Sequence, residues 1–407
     1  MKLLITIPAY NEESSIESII NLSLAARSQI IAASPVTDVQ ITVVSDGSTD
    51  RTADLARRYS DRISLIEFQS NRGYGAAIKE AWRQSNADML GFLDADGTCD
   101  PAFFAKLCAA LESEKADVAL GCRMNPQSRM PLTRRVGNRL FAWLLRLLSS
   151  SSVRDTASGM RVVRRDSLRR LLPLPDGMQF TPAMSARALL AAGLRIAEID
   201  MPYHERAGES KLRVGKDGWR FLKVILEAAF LYRPSRPLAL LGLGALAVAA
   251  GLMLMPIAHY LTHRSVTEWM IYRFVVSHLA GASACLLFSA SYLTRKTVLL
   301  ALPDEARERS ALDSAEAFFE SRWFWAAPAL LMLAGAALVA PSFLELVRTG
   351  ATYEHWSRFI VMSFLFSVAL ILLVTRAMDY VLGLIADRVA YLSEPRPSGS
   401  AGSCDAR

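Results

Sequence analysis

Two aspartates one residue apart, Asp94 and Asp96, follow directly on an apolar run, Met89-Leu90-Gly91-Phe92-Leu93. Where a strand gives way to a turn, two such carboxylates can lean toward one shared point. Hard divalent cations take oxygen ligands, commonly one or two carboxylates completed by substrate phosphates. The pair is therefore a candidate for holding Mg2+ or Mn2+ against a diphosphate, whose departure needs its developing charge neutralised. The competing reading is a turn or helix-capping pair, with Pro101 opening the next helix. Position decides between the two.

Lys2 to Ile7, Gln40 to Val44, Ile63 to Phe68 and Met89 to Leu93 are short runs rich in Ile, Val and Leu. Helix-like stretches separate them: Glu12 to Ala33, Asp50 to Tyr59 and Gly75 to Ser85. This alternation implies an α/β fold, a parallel sheet with helices on both faces. Ligands of such sheets sit beyond the strand C-termini. The polar signatures fall there: Asn11-Glu12, Asp46-Gly47-Ser48, Asn71-Arg72-Gly73 and Asp94-Ala95-Asp96. Four runs ending in polar signatures at one sheet edge favour the metal reading.

The rest of the chain has a different character. Its 407 residues suit two domains. The formal charge of +7 and the hydrophobic share of 52% are unevenly spread. Up to about Pro237 the pattern is that of a soluble protein; beyond it, apolar runs alternate with charged loops. Basic residues gather at Arg123, Arg134, Arg135, Arg139, Arg161, Arg164 and Arg165, and again from Arg206 to Arg236. The first group could hold phosphates and the second lies where an anionic bilayer surface would be, although solvated helix faces account for any single Arg. No nucleic-acid partner is expected. The five cysteines lack paired or CxxC spacing, so neither a disulfide frame nor a zinc site is indicated. The N-terminus is too soon polar for a signal peptide and reads as a buried first strand.

Leu238 to Ala258, Phe274 to Thr294, Trp323 to Leu344 and Phe359 to Thr375 each lack Asp, Glu, Lys and Arg. Each is near the roughly 20 residues that cross hydrocarbon. Arg295, Lys296, Arg307, Arg309 and Arg322 lie between the second and third, against Arg264 and Arg348 in the other loops. The positive-inside bias then puts the long loop, the N-terminal domain and the C-terminus in the cytoplasm of a cell with this protein in its inner or plasma membrane. The expected domains are 1–214, an amphipathic interfacial helix at 215–236, a four-helix membrane domain at 237–380 and a disordered tail at 393–407. An ordinary core-facing helix is the rival account of 215–236; adjacency to a span favours the interface. Gly242, Gly244 and Ala245 are small enough for close helix contact, which leaves a homo-oligomer open.

Pro8-Ala9-Tyr10-Asn11-Glu12, Asp46-Gly47-Ser48-Thr49-Asp50, Asn71-Arg72-Gly73-Tyr74-Gly75-Ala76-Ala77 and Asp94-Ala95-Asp96-Gly97 together resemble the inverting family 2 glycosyltransferases, whose catalytic domain is the Rossmann-like GT-A fold. The resemblance runs to about Tyr232. Asp155-Thr156-Ala157-Ser158-Gly159-Met160-Arg161 and Arg206-Ala207-Gly208-Glu209-Ser210-Lys211 look like the polyprenyl-phosphate sugar transferases, the dolichol-phosphate mannose synthase group.

The resemblance implies that Pro8, Tyr10, Glu12 and Asp46 hold the nucleoside of a nucleotide-diphosphate sugar, with Tyr10 offering a stacking face. Helix capping is the other account of Glu12 and Asp46. It implies a phosphate contact for Lys79, where a solvated lysine is the rival, and catalysis and metal binding for Asp94 and Asp96. Arg123, Arg134, Asn138, Arg206, Ser210 and Lys211 match positions that bind a lipid phosphate; Arg suits this because its planar fork donates two hydrogen bonds at once. Before the spans His204 is the only histidine, so no well-placed imidazole base is available. A phosphate monoester, with a second pKa near ~6, is largely dianionic at neutral pH and attacks without one. Thr98 stands where some relatives supply a Gln ligand, Ser45 where an Asp is usual, Asn138 where a Ser is common, and Ala183 where an acidic residue is frequent.

The expected reaction is single transfer from a UDP- or GDP-sugar to a polyprenyl phosphate, with inversion. A processive polysaccharide synthase is the rival enzyme, but its Gln-x-x-Arg-Trp motif does not occur in the chain. A non-catalytic membrane protein that binds or translocates lipid carriers is the third reading. Spans free of charge argue against an ion-coupled path.

Overall fold

The computed structural model describes residues 1–149, 151–204, 214–302, 319, 321–352 and 354–393. It divides into two compact units, Met1–Arg233 and Pro234–Arg407.

In the first unit, β1 (Lys2–Ala9), α1 (Ile16–Ala33), β2 (Asp38–Asp46), α2 (Thr52–Arg57), β3 (Ser64–Phe68), α3 (Tyr74–Gln84) and β4 (Met89–Phe92) follow the predicted alternation. α4 (Phe104–Ser113), β5 (Val118–Cys122), α5 (Leu132–Leu148), β6 (Arg161–Arg164), α6 (Leu168–Leu171), α7 (Phe180–Leu190), β7 (Ile196–Asp200) and α8 (Val214–Tyr232) complete it. Among the described residues seven strands form one sheet in the order β3-β2-β1-β4-β6-β5-β7. The sheet is parallel except at β6, which pairs antiparallel with both β4 and β5. That exception lies outside the predicted parallel pattern, because β6 is only four residues long and two of them are arginines.

β1 shows why the sheet is buried on both faces. Leu3, Ile5 and Ile7 pack with Ile16, Ile19 and Ile20 of α1, whereas Leu4 joins Ala77, Ile78 and Trp82 of α3. A strand clamped between helices reads as an unbroken apolar run. Each fully buried Leu or Ile stabilises by about 1.5–3 kcal/mol relative to exposure.

The first unit ends at Arg233 and so includes α8, the helix expected at 215–236. Phe221, Ile225, Ala228 and Ala229 bury one face of the helix, the last three beside Leu145 of α5 and Leu189 of α7. Trp219, Phe230 and Leu231 remain exposed. One side of α8 is thus core and the other is an apolar surface.

Among its described residues the second unit contains four helices long and apolar enough to cross a membrane: α9 (Ser235–His263), α10 (Ile271–Ala301), α11 (Ala326–Thr349) and α12 (Trp356–Ser393). Glycines seat aromatic rings between them, Gly242 against Phe288, Gly281 against Phe364 and Gly335 against Phe366. α10 and α12 outrun the predicted spans. Past the apolar stretches, Asp379 accepts from Tyr292 at 2.8 Å, meets Arg376 at 2.8 Å and pairs with Lys296. The predicted tail, from residue 394 on, and Arg307 and Arg309 lie outside the described residues.

Candidate active site

The loops after β1 and β2 are laced together. Asn11, in the left-handed region at φ 51°, donates its backbone N–H to Ser48 Oγ at 3.1 Å and accepts from Thr49 N–H at 2.8 Å. Glu12 N–H donates to Thr52 Oγ1 at 2.8 Å. This lacing sets Tyr10, 37% exposed, and the buried Glu12 at the rim of a cavity. Asp46 at the end of β2 is buried, and its carboxylate accepts from the backbone N–H groups of Arg72 at 2.6 Å and Gly73 at 2.9 Å. Asp46 therefore braces the loop that opens α3 while still lining the cavity. Gly73 has φ 106°, and a Cβ there would strike the carbonyl of Asp176, so this turn requires glycine.

Asp94 and Asp96 lie just beyond β4, and both line the same cavity. The Tyr74 hydroxyl donates to Asp94 Oδ1 at 2.7 Å. Burial, and then the charge of Asp94, push the Tyr74 phenol well up, so it stays a donor. Thr98 donates to Asp96 Oδ1 from its hydroxyl at 2.6 Å and from its backbone N–H at 3.1 Å. Gly159 lies against Asp94: a Cβ on it would overlap the carboxylate. The loop carrying Gly159 is fixed from beneath by Arg161, which is fully buried. Its guanidinium donates to Ser158 O at 3.0 Å, Thr156 O at 2.9 Å and Ser185 Oγ at 2.9 Å. Burial pushes the Arg161 pKa down to about 10, still charged at neutral pH.

Arg123 also lines the cavity, with its fork spent on Asp155: Nε to Oδ2 at 2.8 Å, Nη2 to Oδ1 at 2.9 Å. Asp155 is completely buried and also accepts from Asn138 Nδ2 at 3.0 Å. Asn138 in turn accepts from Thr156 N–H at 3.0 Å. Burial by itself lowers the Arg123 pKa, but Asp155 reverses this and raises it. Arg123 and Asn138 thus build the cavity wall, and what Arg123 offers a ligand is a charge already half-balanced. Arg134, on α5, lines the cavity beside them.

Other expected residues fall elsewhere. Lys79 does not line the cavity: its ammonium donates to Leu174 O at 2.6 Å and pairs with Asp176 at 2.6 Å. The basic group read as a phosphate holder is split. Arg164 donates to Ala116 O and Leu111 O, both at 2.8 Å, and Arg165 to Ala87 O and, at 2.9 Å, Ser85 O. These two satisfy carbonyls where α4 and α3 end. Arg206, Ser210 and Lys211 lie outside the described residues. Conversely, Tyr74, Tyr203, Arg220 and Phe221 line the cavity without having been singled out as site residues. Tyr74 sits inside the Asn71-Arg72-Gly73-Tyr74-Gly75-Ala76-Ala77 stretch, where its type and spacing alone give it no role. Arg220 is hidden by the apolar pattern of α8, where it pairs with Asp217 at 3.3 Å.

The cavity, about 500 Å³, thus gathers Pro8, Tyr10, Glu12, Asp46, Asp94, Asp96, Arg123, Arg134 and Asn138 of the expected set. Among the described residues no group of three or more His, Cys, Asp or Glu side chains is placed to hold a metal ion. Two hard carboxylates at one strand end fit a cation whose shell is completed by substrate oxygens, as Mg2+ and Mn2+ are held, and not a closed protein cage. No histidine lines the cavity among the described residues.

A sheet of this order with a carboxylate pair beyond its central strand is the GT-A architecture. The profile of glycosyl transferase family 2 matches residues 4–172. A dolichyl-phosphate hexose transferase of Haloferax volcanii is 33% identical over 215 residues, covering 52% of this chain and 86% of that one. The low-salt glycan biosynthesis hexosyltransferase Agl6 of the same organism is 34% identical over 257 residues, 61% of this chain and 59% of that one. A dolichyl-phosphate β-glucosyltransferase of Drosophila melanogaster is 30% identical over 185 residues, 42% and 57% of the two chains. The match thus spans less than two thirds of the last two relatives. Among solved structures, glucosyl-3-phosphoglycerate synthase of Mycobacterium tuberculosis, with Mn2+ and UDP, aligns at 20% identity over 56% of this chain and 80% of that one, TM-score 0.46. The chain belongs to glycosyl transferase family 2.

Proposed function

We propose that the protein transfers one sugar from a UDP- or GDP-sugar to a polyprenyl phosphate, inverting the anomeric carbon, at the cytoplasmic face of a membrane. The observation that carries this reading is the single cavity lined both by the Asp94–Asp96 pair and by α5 and α8. Relatives named for transfer to dolichyl phosphate support the acceptor class.

A diphosphate entering this cavity meets the carboxylates of Asp94 and Asp96. Anion beside anion is unfavourable without an intervening cation. Asp94 and Asp96 would hold Mg2+ or Mn2+, which supplies charge neutralisation for the departing nucleoside diphosphate. Tyr10 and Pro8 offer apolar faces to the base, and Glu12 an acceptor for its sugar hydroxyls. Arg134, Arg220 and Arg123 offer guanidinium charge to the acceptor phosphate. A phosphate oxygen attacks the anomeric carbon from the face opposite the leaving group. The new bond joins that carbon to the acceptor oxygen, and the bond to the diphosphate breaks. A dianionic acceptor has no proton to lose and so needs no base.

Two helices of the first unit would meet the lipid. Across α5, one side supplies Thr133, Arg134, Gly137, Asn138 and Phe141 to the cavity. The other exposes Leu132, Val136, Leu140, Trp143 and Leu147, at spacings of one helix turn. α5 carries four arginines and no carboxylate. On α8, Trp219 is 68% exposed. Such faces lie in the bilayer interface.

The test is transfer by the purified full-length protein from radiolabelled UDP- and GDP-sugars to undecaprenyl and dolichyl phosphates, with and without Mn2+. A metal-dependent lipid-phosphate sugar, abolished by Asp96→Ala, is the expected result. A long glycan in its place would make the protein a processive synthase. Silence across the panel, with no nucleotide binding, would leave a non-catalytic carrier-binding protein.

A further inference from the structure

Beyond β4, Asp94 and Asp96 stand in a turn, where strand pairing no longer fixes their side chains. Each carboxylate is instead met by a hydroxyl from outside the acidic pair. The Tyr74 hydroxyl reaches Asp94 Oδ1 at 2.7 Å and the Thr98 hydroxyl reaches Asp96 Oδ1 at 2.6 Å. Both donors are themselves immobilised. The Tyr74 ring lies edge-on to Phe92 and Phe180, with both centroids 6.3 Å away. Thr98 is fully buried, and its carbonyl accepts from His204 N–H at 3.0 Å. Gly159 closes in on Asp94 from another side, leaving its carboxylate little room to turn.

We infer that Tyr74 and Thr98 are positioning residues: their hydroxyls hold one oxygen of each carboxylate in place and thereby set the affinity of the site for its divalent cation. This rests on the cation reading given under Proposed function. The hydroxyl bonds act in two opposed directions, withdrawing charge from the carboxylates and fixing their orientation. Orientation wins at such sites, since loss of an outer hydrogen bond typically weakens metal affinity about 10–100-fold. Thr98 thereby steadies the neighbouring carboxylate from its hydroxyl and from its backbone N–H.

The measurement is Mn2+ binding without turnover. Full-length protein in detergent is titrated with Mn2+ in the presence of UDP or of GDP, and free Mn2+ is read by electron paramagnetic resonance. Tyr74→Phe and Thr98→Val should each weaken Mn2+ binding about tenfold or more. Thr98→Ser, which keeps the hydroxyl, should retain the affinity of the wild type. Unchanged affinity in Tyr74→Phe and Thr98→Val overturns the inference. A loss in Thr98→Ser as large as in Thr98→Val overturns it too, because packing would then be the cause. If Tyr74→Phe does not fold, the two Thr98 variants decide. Wild-type protein that binds either nucleotide but no Mn2+ removes the cation reading itself, and the positioning role with it.

Discussion

Arg123 and Asp155 show how one pair can serve stability and site geometry together. With Asp155 completely buried, replacing it by Asn leaves a guanidinium in the cavity wall without its counter-charge. Breaking a buried pair from one side costs about 3–5 kcal/mol. Asp155→Asn should therefore lower the unfolding midpoint sharply, as read by thermal denaturation of the detergent-solubilised protein. Burial alone raises the Asp155 pKa, but the charge and hydrogen bonds of Arg123 outweigh it and hold it below the ordinary range. Its contribution is then complete above the unfolded carboxylate pKa of about 4 and is lost as pH falls through the lower folded value. Midpoints measured from pH 7 to pH 3 should fall for the wild type at the acid end, and less so for Asp155→Asn. From sequence, Arg123 reads as a ligand for phosphate; the carboxylate that claims it lies thirty-two residues away, a distance no local pattern spans.

The loop from Asp155 to Met160 and the helix α5 carry the site as pieces of backbone. Gly159→Ala places a methyl group into the Asp94 carboxylate. A displacement of about 1 Å at such a group costs on the order of 100-fold in rate. Steady-state transfer should fall by about that factor, with donor KM changing much less. The exposed stripe of α5 makes a separate prediction. Leu140→Glu together with Trp143→Glu puts two carboxylates on the apolar face, where the wild type has none. Transfer to polyprenyl phosphate in anionic liposomes should drop at least tenfold, since each residue contributes buried apolar area to interface binding and each new charge is repelled. Transfer to a short, water-soluble prenyl phosphate should be unchanged. Strands β1 to β4 and helices α1 to α3 were legible because parallel strands buried on both faces give unbroken apolar runs. β6 was not, being short and bounded by arginines: Arg161 is held by carbonyls of the loop just before it, and Arg164 by carbonyls far away along the chain.

The two compact units divide the labour that composition announces, a mixed α/β part followed by helices suited to lipid. With the positive-inside bias, reporters inserted after Arg264 and after Arg348 should be active only outside the cytoplasm, and terminal fusions only within it. A cytoplasmic reporter active at Arg264 would reverse the orientation. Apolar length and the alternation of apolar runs with helical stretches are local properties, so the four long apolar helices and the strands β1 to β4 were determined by the sequence itself. So was the carboxylate pair, because chemistry of this kind requires particular residue types at a particular spacing. Only the tertiary structure decided how the charged groups are shared out. It withdrew Lys79 to Asp176, set Arg164 and Arg165 on helix ends, and put Arg161 beneath the glycine loop. It also brought Tyr74 to Asp94. Hydrogen bonds act over about 3 Å in space with no regard for separation along the chain, and so which cation meets which oxygen is fixed only when the sheet has formed.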